Sequence, residues 1–474
     1  MRYGDRSVPD PVDGRGSIPG QRTRLACAGI RGNELREAIV REIGESAGRR
    51  GRWLAVFAAA AGLLLTACSG SGGQPAGADH SAAGHSPAAQ AAAGPHITPA
   101  DGSKHVSTTA AITVTSASGP IRSVQVTAGH RQVPVSGQLS TAAGGKTASW
   151  QSTWALHTGQ RYTVTATAAG AGGKTVSTTS TFRTITPADT FSTEIYEGYR
   201  QTFGVGMPII LYFSQPITRR AAVERALQVT TSKPVFGAWY WDGDKTLYFR
   251  PESYWPAHTT VSFDGHLDGV AGAKGMYGTT DLTQTFSIGK SLVVTASTAT
   301  HHMHLYRNGH LIDTWPISTG RPGDDTPNGT YLTIDKANPV LMTGPGYSLE
   351  VPWSVRITWS GDYLHDAYWS VGEQGFTNVS HGCVNMPPAD AQTYYQMENP
   401  GDPVMITGSP LPGTWDNGWT VWFLSFRKLV KGSALGEAVQ AGPHGSRFVS
   451  LSTVPAATAS YPLQTATPGS ATAS

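Results

Sequence analysis

Three cysteines in a chain of 474 residues exclude a disulfide-built scaffold, which needs several thiol pairs at short spacing. Charge is also scarce. Charged residues make up 14% and the formal net charge is +3, so composition carries no nucleic-acid footprint and no such partner is expected. After residue 70 no run approaches the roughly 20 apolar residues of a membrane-spanning helix, so the bulk of the chain reads as soluble. The length implies two to four domains rather than one core. Glycine (56) and proline (31), with abundant Thr, Ser and Val, favour strands joined by frequent turns.

An apolar run does stand early, in "RRGRWLAVFAAAAGLLLTACSGSGG" (49–73). Arg49, Arg50 and Arg52 form a basic n-region, and Leu54–Leu64 has the length of a signal-peptide h-region. Leu65-Thr66-Ala67-Cys68 then resembles a bacterial lipobox, with Cys68 as the lipidated first residue of the mature chain. A plain secretory signal or an uncleaved anchor are the alternatives. Acylation would tether the protein to the outer side of the membrane, since each buried CH₂ is worth about 0.8 kcal/mol. Residues 1–48 precede the n-region, and the expectation there is a start codon assigned too far upstream. With Cys68 acylated, the mature chain keeps Cys383 and can form no intrachain disulfide.

Residues 69–95 are Ala, Gly, Ser and His, too poor in large apolar side chains to build a core, and read as a flexible spacer. "ITPADG" (97–102) recurs as "ITPADT" (185–190), marking two units of about a hundred residues. Short alternating runs such as "RYTVTATAAG" and "KTLYFRPE" between Gly-rich turns make each a β-sandwich, over 96–186 and 187–289. Trp150, Trp154, Trp239 and Trp241 are expected in their cores. A third unit spans 290–408. "HLYRNGHLI" is a hairpin turning at Asn308-Gly309. His302 and His304 alternate on its first strand and read as surface or packing residues. Pro387-Pro388 and Asp390 open a short helix, and "DPVMITG" closes the unit as a strand. A Trp-containing extension (409–454) and a disordered tail (455–474) follow. The fold class is mainly β: two immunoglobulin-like sandwiches, a β-rich third unit with a short helix, and the extension.

Within the third unit, "NVSHGCVNM" (378–386) sets Cys383 between His381 and Asn385. An ordinary thiol titrates near 8.5, so a nucleophilic one needs a base and donors for the oxyanion it generates. His381, two positions away, shares a face with Cys383 on an extended segment. His365, at the end of "GDYLH", returns to it through a loop. Gly382 permits close backbone approach, and the amides around Gly382 and Cys383 are natural oxyanion donors. Three readings stay open on chemistry alone: a catalytic thiol, a zinc ligand with His365 and His381, or a buried inert cysteine.

His365, fourteen intervening residues, then Ser380-His381-Gly382-Cys383-Val384-Asn385 resembles the signature of the L,D-transpeptidases with a YkuD-type domain. "STGRPGDDTPNGTY" (318–331) and "SVGEQGFTNVSHGCVN" extend the resemblance, which covers roughly 97–430 and is nearest the actinobacterial and mycobacterial members. It implies lipidation, two immunoglobulin-like domains and a Trp-rich extension. It further implies that Cys383 is the nucleophile, His365 the general base and acid, and that His381 and Gly382 support the thiol loop. Tyr347, Ser360, Gly361, Ser380, Asn385 and Met342 are the implied substrate-binding residues. The implied partners are peptidoglycan stem peptides, a tetrapeptide donor and a diaminopimelate acceptor, with carbapenem β-lactams as inhibitors. No cofactor or metal is implied; Lys274 stands where a calcium-binding relative would carry an acid. In relatives a backbone carbonyl just after the histidine orients it. That position is Asp366, whose carboxylate either raises the imidazole's basicity or faces water. "MTGPGY" (342–347) implies an abbreviated lid. An L,D-carboxypeptidase and a non-catalytic wall-binding lipoprotein are the competing functions.

Overall fold

The computed structural model describes residues 94–455, apart from 130, 133–134, 142–147, 171–172 and 345–346. The expected signal segment, lipobox, most of the spacer and nearly all of the tail lie outside the described residues.

Two four-stranded sheets come first. One runs in the order His96–Thr98, Thr113–Ser116, Ala148–Ser152, Gly137–Thr141, and the other Arg131–Gln132, Ile121–Ala128, Arg161–Ala169, Thr175–Arg183. Period-2 alternation along "RYTVTATAA" turns Tyr162, Val164 and Ala166 inward, where they meet Ile97, Val114, Leu156 and Phe182. Trp150 packs half-buried against this core. Trp154 does not join it. Lying in the loop beyond Ala148–Ser152, its ring stacks at 3.9 Å on His266 of the second sandwich. His157 pairs with Asp268, and the Thr108 hydroxyl donates to the Gly269 carbonyl at 2.6 Å, so polar contacts complete that junction.

The second sandwich borrows from the far end of the chain. Its strands follow the order Thr193–Ile195, Ile209–Phe213, Thr246–Pro251, Val235–Asp242, Ala438–Gly442, Leu227–Thr231, Thr260–Gly265, Leu282–Ile288, Thr202–Phe203. Ala438–Gly442, hairpinned to Gly445–Val449, thus sits inside a sheet built two hundred residues earlier. Ala438, Val439 and Ala441 enter the core alongside Trp239, Trp241 and Phe249. Trp419 is buried in the same core, and Trp415 and Trp422 pack against it. The expected extension is therefore an integral piece of the second sandwich.

The third unit pairs a five-stranded sheet with a four-stranded one. The first orders His310–Pro316, His302–Arg307, Leu292–Ser297, Pro403–Thr407, Gly329–Leu332. The second orders Lys336–Ala337, Ser354–Arg356, Tyr363–Asp366, Val384–Met386. Asn308 and Gly309 both take positive φ, the requirement of a tight type I′ turn. Helix Pro388–Met397 has Asp390 in its first turn and buries Ala391 and Tyr394 against the core. A separate hairpin, Val340–Gly344 with Tyr347–Val351, packs on the face of the four-stranded sheet that carries Tyr363.

Candidate active site

Two adjacent parallel strands place the site. Leu364 pairs with Val384 and His365 with Asn385. Leu364, Val384 and Met386 point into the core of the third unit, so alternation turns His365 and Asn385 to the opposite side, facing the hairpin. Cys383, one residue before its strand, packs on that side against Met342, Val351 and Tyr363. The structure thus sets His365 and Cys383 on one face of neighbouring strands, two register positions apart.

His365 is 3% exposed, and its Nδ1 lies 2.8 Å from the main-chain carbonyl of Asp366. A carbonyl only accepts, so Nδ1 carries the proton and Nε2 the lone pair. Burial drives the imidazole down to about 4, more than the carbonyl contact raises it, so the ring is neutral near pH 7. The Trp369 ring stacks on it at 5.9 Å, a cover that sequence reading missed. The Asp366 side chain does not face water: the residue is 6% exposed, and desolvation weakens its acidity. The main-chain carbonyl orients the ring.

The thiol loop is braced from below. Ser380 is 6% exposed; its hydroxyl donates to the Cys383 carbonyl at 2.6 Å and accepts from the Gly382 amide at 3.2 Å. Thr326 donates to the Gly382 carbonyl at 2.7 Å. Asn385, 3% exposed, donates to the Ser370 hydroxyl at 2.9 Å, and its backbone exchanges both bonds with Ser318. Ser380 and Asn385 thus brace the loop through their side chains, and the Gly382 amide donates to the Ser380 hydroxyl. Gly382 has φ +124, and a Cβ there would stand 2.5 Å from the Asp362 carboxylate, so no larger residue fits.

The rim is more open. Tyr347 is 40% exposed and stacks on the His381 ring at 5.2 Å, placing both rings at the rim. Met342, within the hairpin, is buried against Val351 and Tyr363. Ser360 is exposed, and the Gly361 carbonyl lies 3.7 Å from the Cys383 sulfur, accepting its S–H. The zinc reading lacks a donor set: among the described residues no three His, Cys, Asp or Glu side chains cluster. His304 bonds Thr314 at 2.9 Å, on the surface as expected.

A family profile described as a bacterial Ig domain matches residues 103–271, and one for the L,D-transpeptidase catalytic domain matches 291–406. "L,D-transpeptidase 2" of Mycobacterium tuberculosis is 33% identical over 340 residues, covering 68% of this chain and 82% of that protein. The chain belongs to the L,D-transpeptidases. "L,D-transpeptidase 5" of the same species is 36% identical over 58% of this chain and 63% of its own. A solved LD transpeptidase in complex with imipenem is 33% identical and covers 47% of this chain and 100% of that one, with a TM-score of 0.40. This L,D-transpeptidase is an acyltransferase of mainly β structure, and it shares the Ig-plus-catalytic arrangement of its relatives.

Proposed function

We propose that this L,D-transpeptidase cross-links peptidoglycan stem peptides through a thioester on Cys383. One observation carries the assignment of roles. The Asp366 carbonyl fixes a neutral His365 with its lone pair on Nε2, on the side of the sheet where Cys383 lies. His365 takes the thiol proton as sulfur attacks the carbonyl between diaminopimelate and the terminal D-Ala of a tetrapeptide stem. The C–N bond breaks, His365 returns the proton to the leaving amine, and D-Ala departs. The side-chain amine of a second stem's diaminopimelate then attacks the thioester. His365 accepts that amine's proton and passes it to the departing thiolate, leaving an amide between the third residues of both stems.

The same nucleophile and base accept a β-lactam carbonyl, which makes carbapenems inhibitors by acylation. On this reading Cys68 is a lipid anchor on the outer face of the membrane, 69–95 is a spacer, and the sandwiches over 96–186 and 187–289 carry the catalytic unit over 290–408 to the wall. Incubation of the soluble protein with disaccharide-tetrapeptide, read by mass spectrometry, tests the proposal. Cross-linked dimer is expected. Tripeptide alone would make the enzyme an L,D-carboxypeptidase, and unchanged substrate would leave a wall-binding protein.

A further inference from the structure

The turn that faces the thiol is tied down from outside its own unit. Residues 357–362 join Ser354–Arg356 to Tyr363–Asp366 and present the Gly361 carbonyl to the Cys383 sulfur at 3.7 Å. Inside the turn, Thr358 and Ser360 hydroxyls donate to the Asp362 carboxylate at 2.8 and 3.2 Å. Asn417 grips it from across. Its Oδ1 accepts from the Ser360 amide at 2.8 Å and its Nδ2 donates to the Ser360 hydroxyl at 2.9 Å. Gly418 follows with φ +121, and a Cβ there would stand 2.8 Å from the Ile357 carbonyl oxygen, so this segment lies hard against the root of the turn.

The segment bearing Asn417 is held by the second sandwich. Trp415 Nε1 donates to Asp242 at 3.2 Å and Trp422 Nε1 to the Gly206 carbonyl at 2.7 Å. Arg250 donates to the carbonyls of Val421 at 3.3 Å and Leu424 at 2.7 Å. Trp419 lies edge-on to Tyr196 at 4.8 Å and to Trp359, inside the turn, at 6.1 Å. A continuous packed path runs from the second sandwich to the carbonyl that faces the sulfur.

We propose that Asn417 is a positioning residue for Cys383, fixing the Ser360–Gly361 turn so that its carbonyl holds the sulfur in place. The inference rests on Cys383 being the nucleophile. The Asn417 side chain is half-exposed, so removing it leaves the Ser360 amide and hydroxyl to water and costs the fold little. The sulfur, however, loses a fixed neighbour, and small misplacements of reacting atoms cost rate steeply.

The experiment compares the parent and Asn417→Ala for carbapenem acylation, for the pH midpoint of iodoacetamide alkylation, and for melting temperature. Acylation is expected to slow about tenfold or more, with the melting point lowered by less than about 4 °C. The alkylation midpoint is expected to move down, because a carbonyl accepting S–H favours the protonated thiol and its loss frees the thiolate. Unchanged acylation, or slower acylation with an unmoved alkylation midpoint, overturns the positioning role. A parent protein whose adduct forms away from Cys383 instead defeats the nucleophile assignment on which the role depends.

Discussion

The Nδ1–H of His365 is donated to the carbonyl of the very next residue, Asp366, at 2.8 Å. Such a contact holds the ring rigidly without adding charge beside it. A carboxylate partner would favour imidazolium, whereas a carbonyl in a buried site leaves the ring neutral and ready to accept a proton.

This predicts the pH dependence of acylation. With its pKa pushed down from 6.5 to about 4, His365 remains the free base across the range where an ordinary histidine protonates. Carbapenem acylation should show no histidine inflection near 6.5 and lose its base only as pH falls toward 4. The folded form resists protonation more than the unfolded chain does, so stability contributed by this group is present above 6.5 and lost as pH falls through 4. Trp369→Ala uncovers the ring, and the acid limb should move up toward 6.5. A stopped-flow pH profile of both proteins checks this, and an inflection at 6.5 in the parent would refute it.

Cys383→Ala should abolish both the carbapenem adduct and dimer formation, with the melting point little changed, because Cys383 is only part-buried against Met342 and Tyr363. Intact-mass spectrometry reads the first and product analysis the second. Turnover surviving in this variant would remove the thiol mechanism.

Val439→Asp tests whether the C-terminal hairpin is structural. Val439 is buried in the strand inserted beside Val235–Asp242, so the variant places a carboxylate in the second core. A loss of about 3 kcal/mol or more in unfolding free energy is expected. Urea denaturation showing a loss under about 1 kcal/mol would mean the hairpin is peripheral.

Glu197 sets a separate pH dependence. Fully buried, with Oε2 accepting the Ile210 amide at 3.3 Å, its carboxyl is pushed up to about 8 by desolvation. The folded state therefore keeps a proton that the unfolded chain releases. Stability should fall as pH rises from 4.5 through 8, and Glu197→Gln should flatten that decline and melt higher at pH 8. Identical pH slopes of melting temperature in the two proteins would contradict this.

Sequence by itself determined the local features. Strand alternation, the Asn308-Gly309 turn, the Pro-led helix and the spacing of His365 to Cys383 are written in neighbouring residues, because period, φ preference and helix starts depend only on a few positions. Tertiary structure decided what depends on partners far along the chain. Ser380 and Asn385 became braces because Cys383, Gly382 and Ser370 stand where their hydrogen bonds must go once buried. Trp154 left its own core for His266, and Ala438–Gly442 joined a sheet two hundred residues upstream. No periodicity in "WDNGW" shows that Asn417 reaches Ser360. That contact exists because the second sandwich, by burying Trp419, delivers its neighbours to the edge of the catalytic turn.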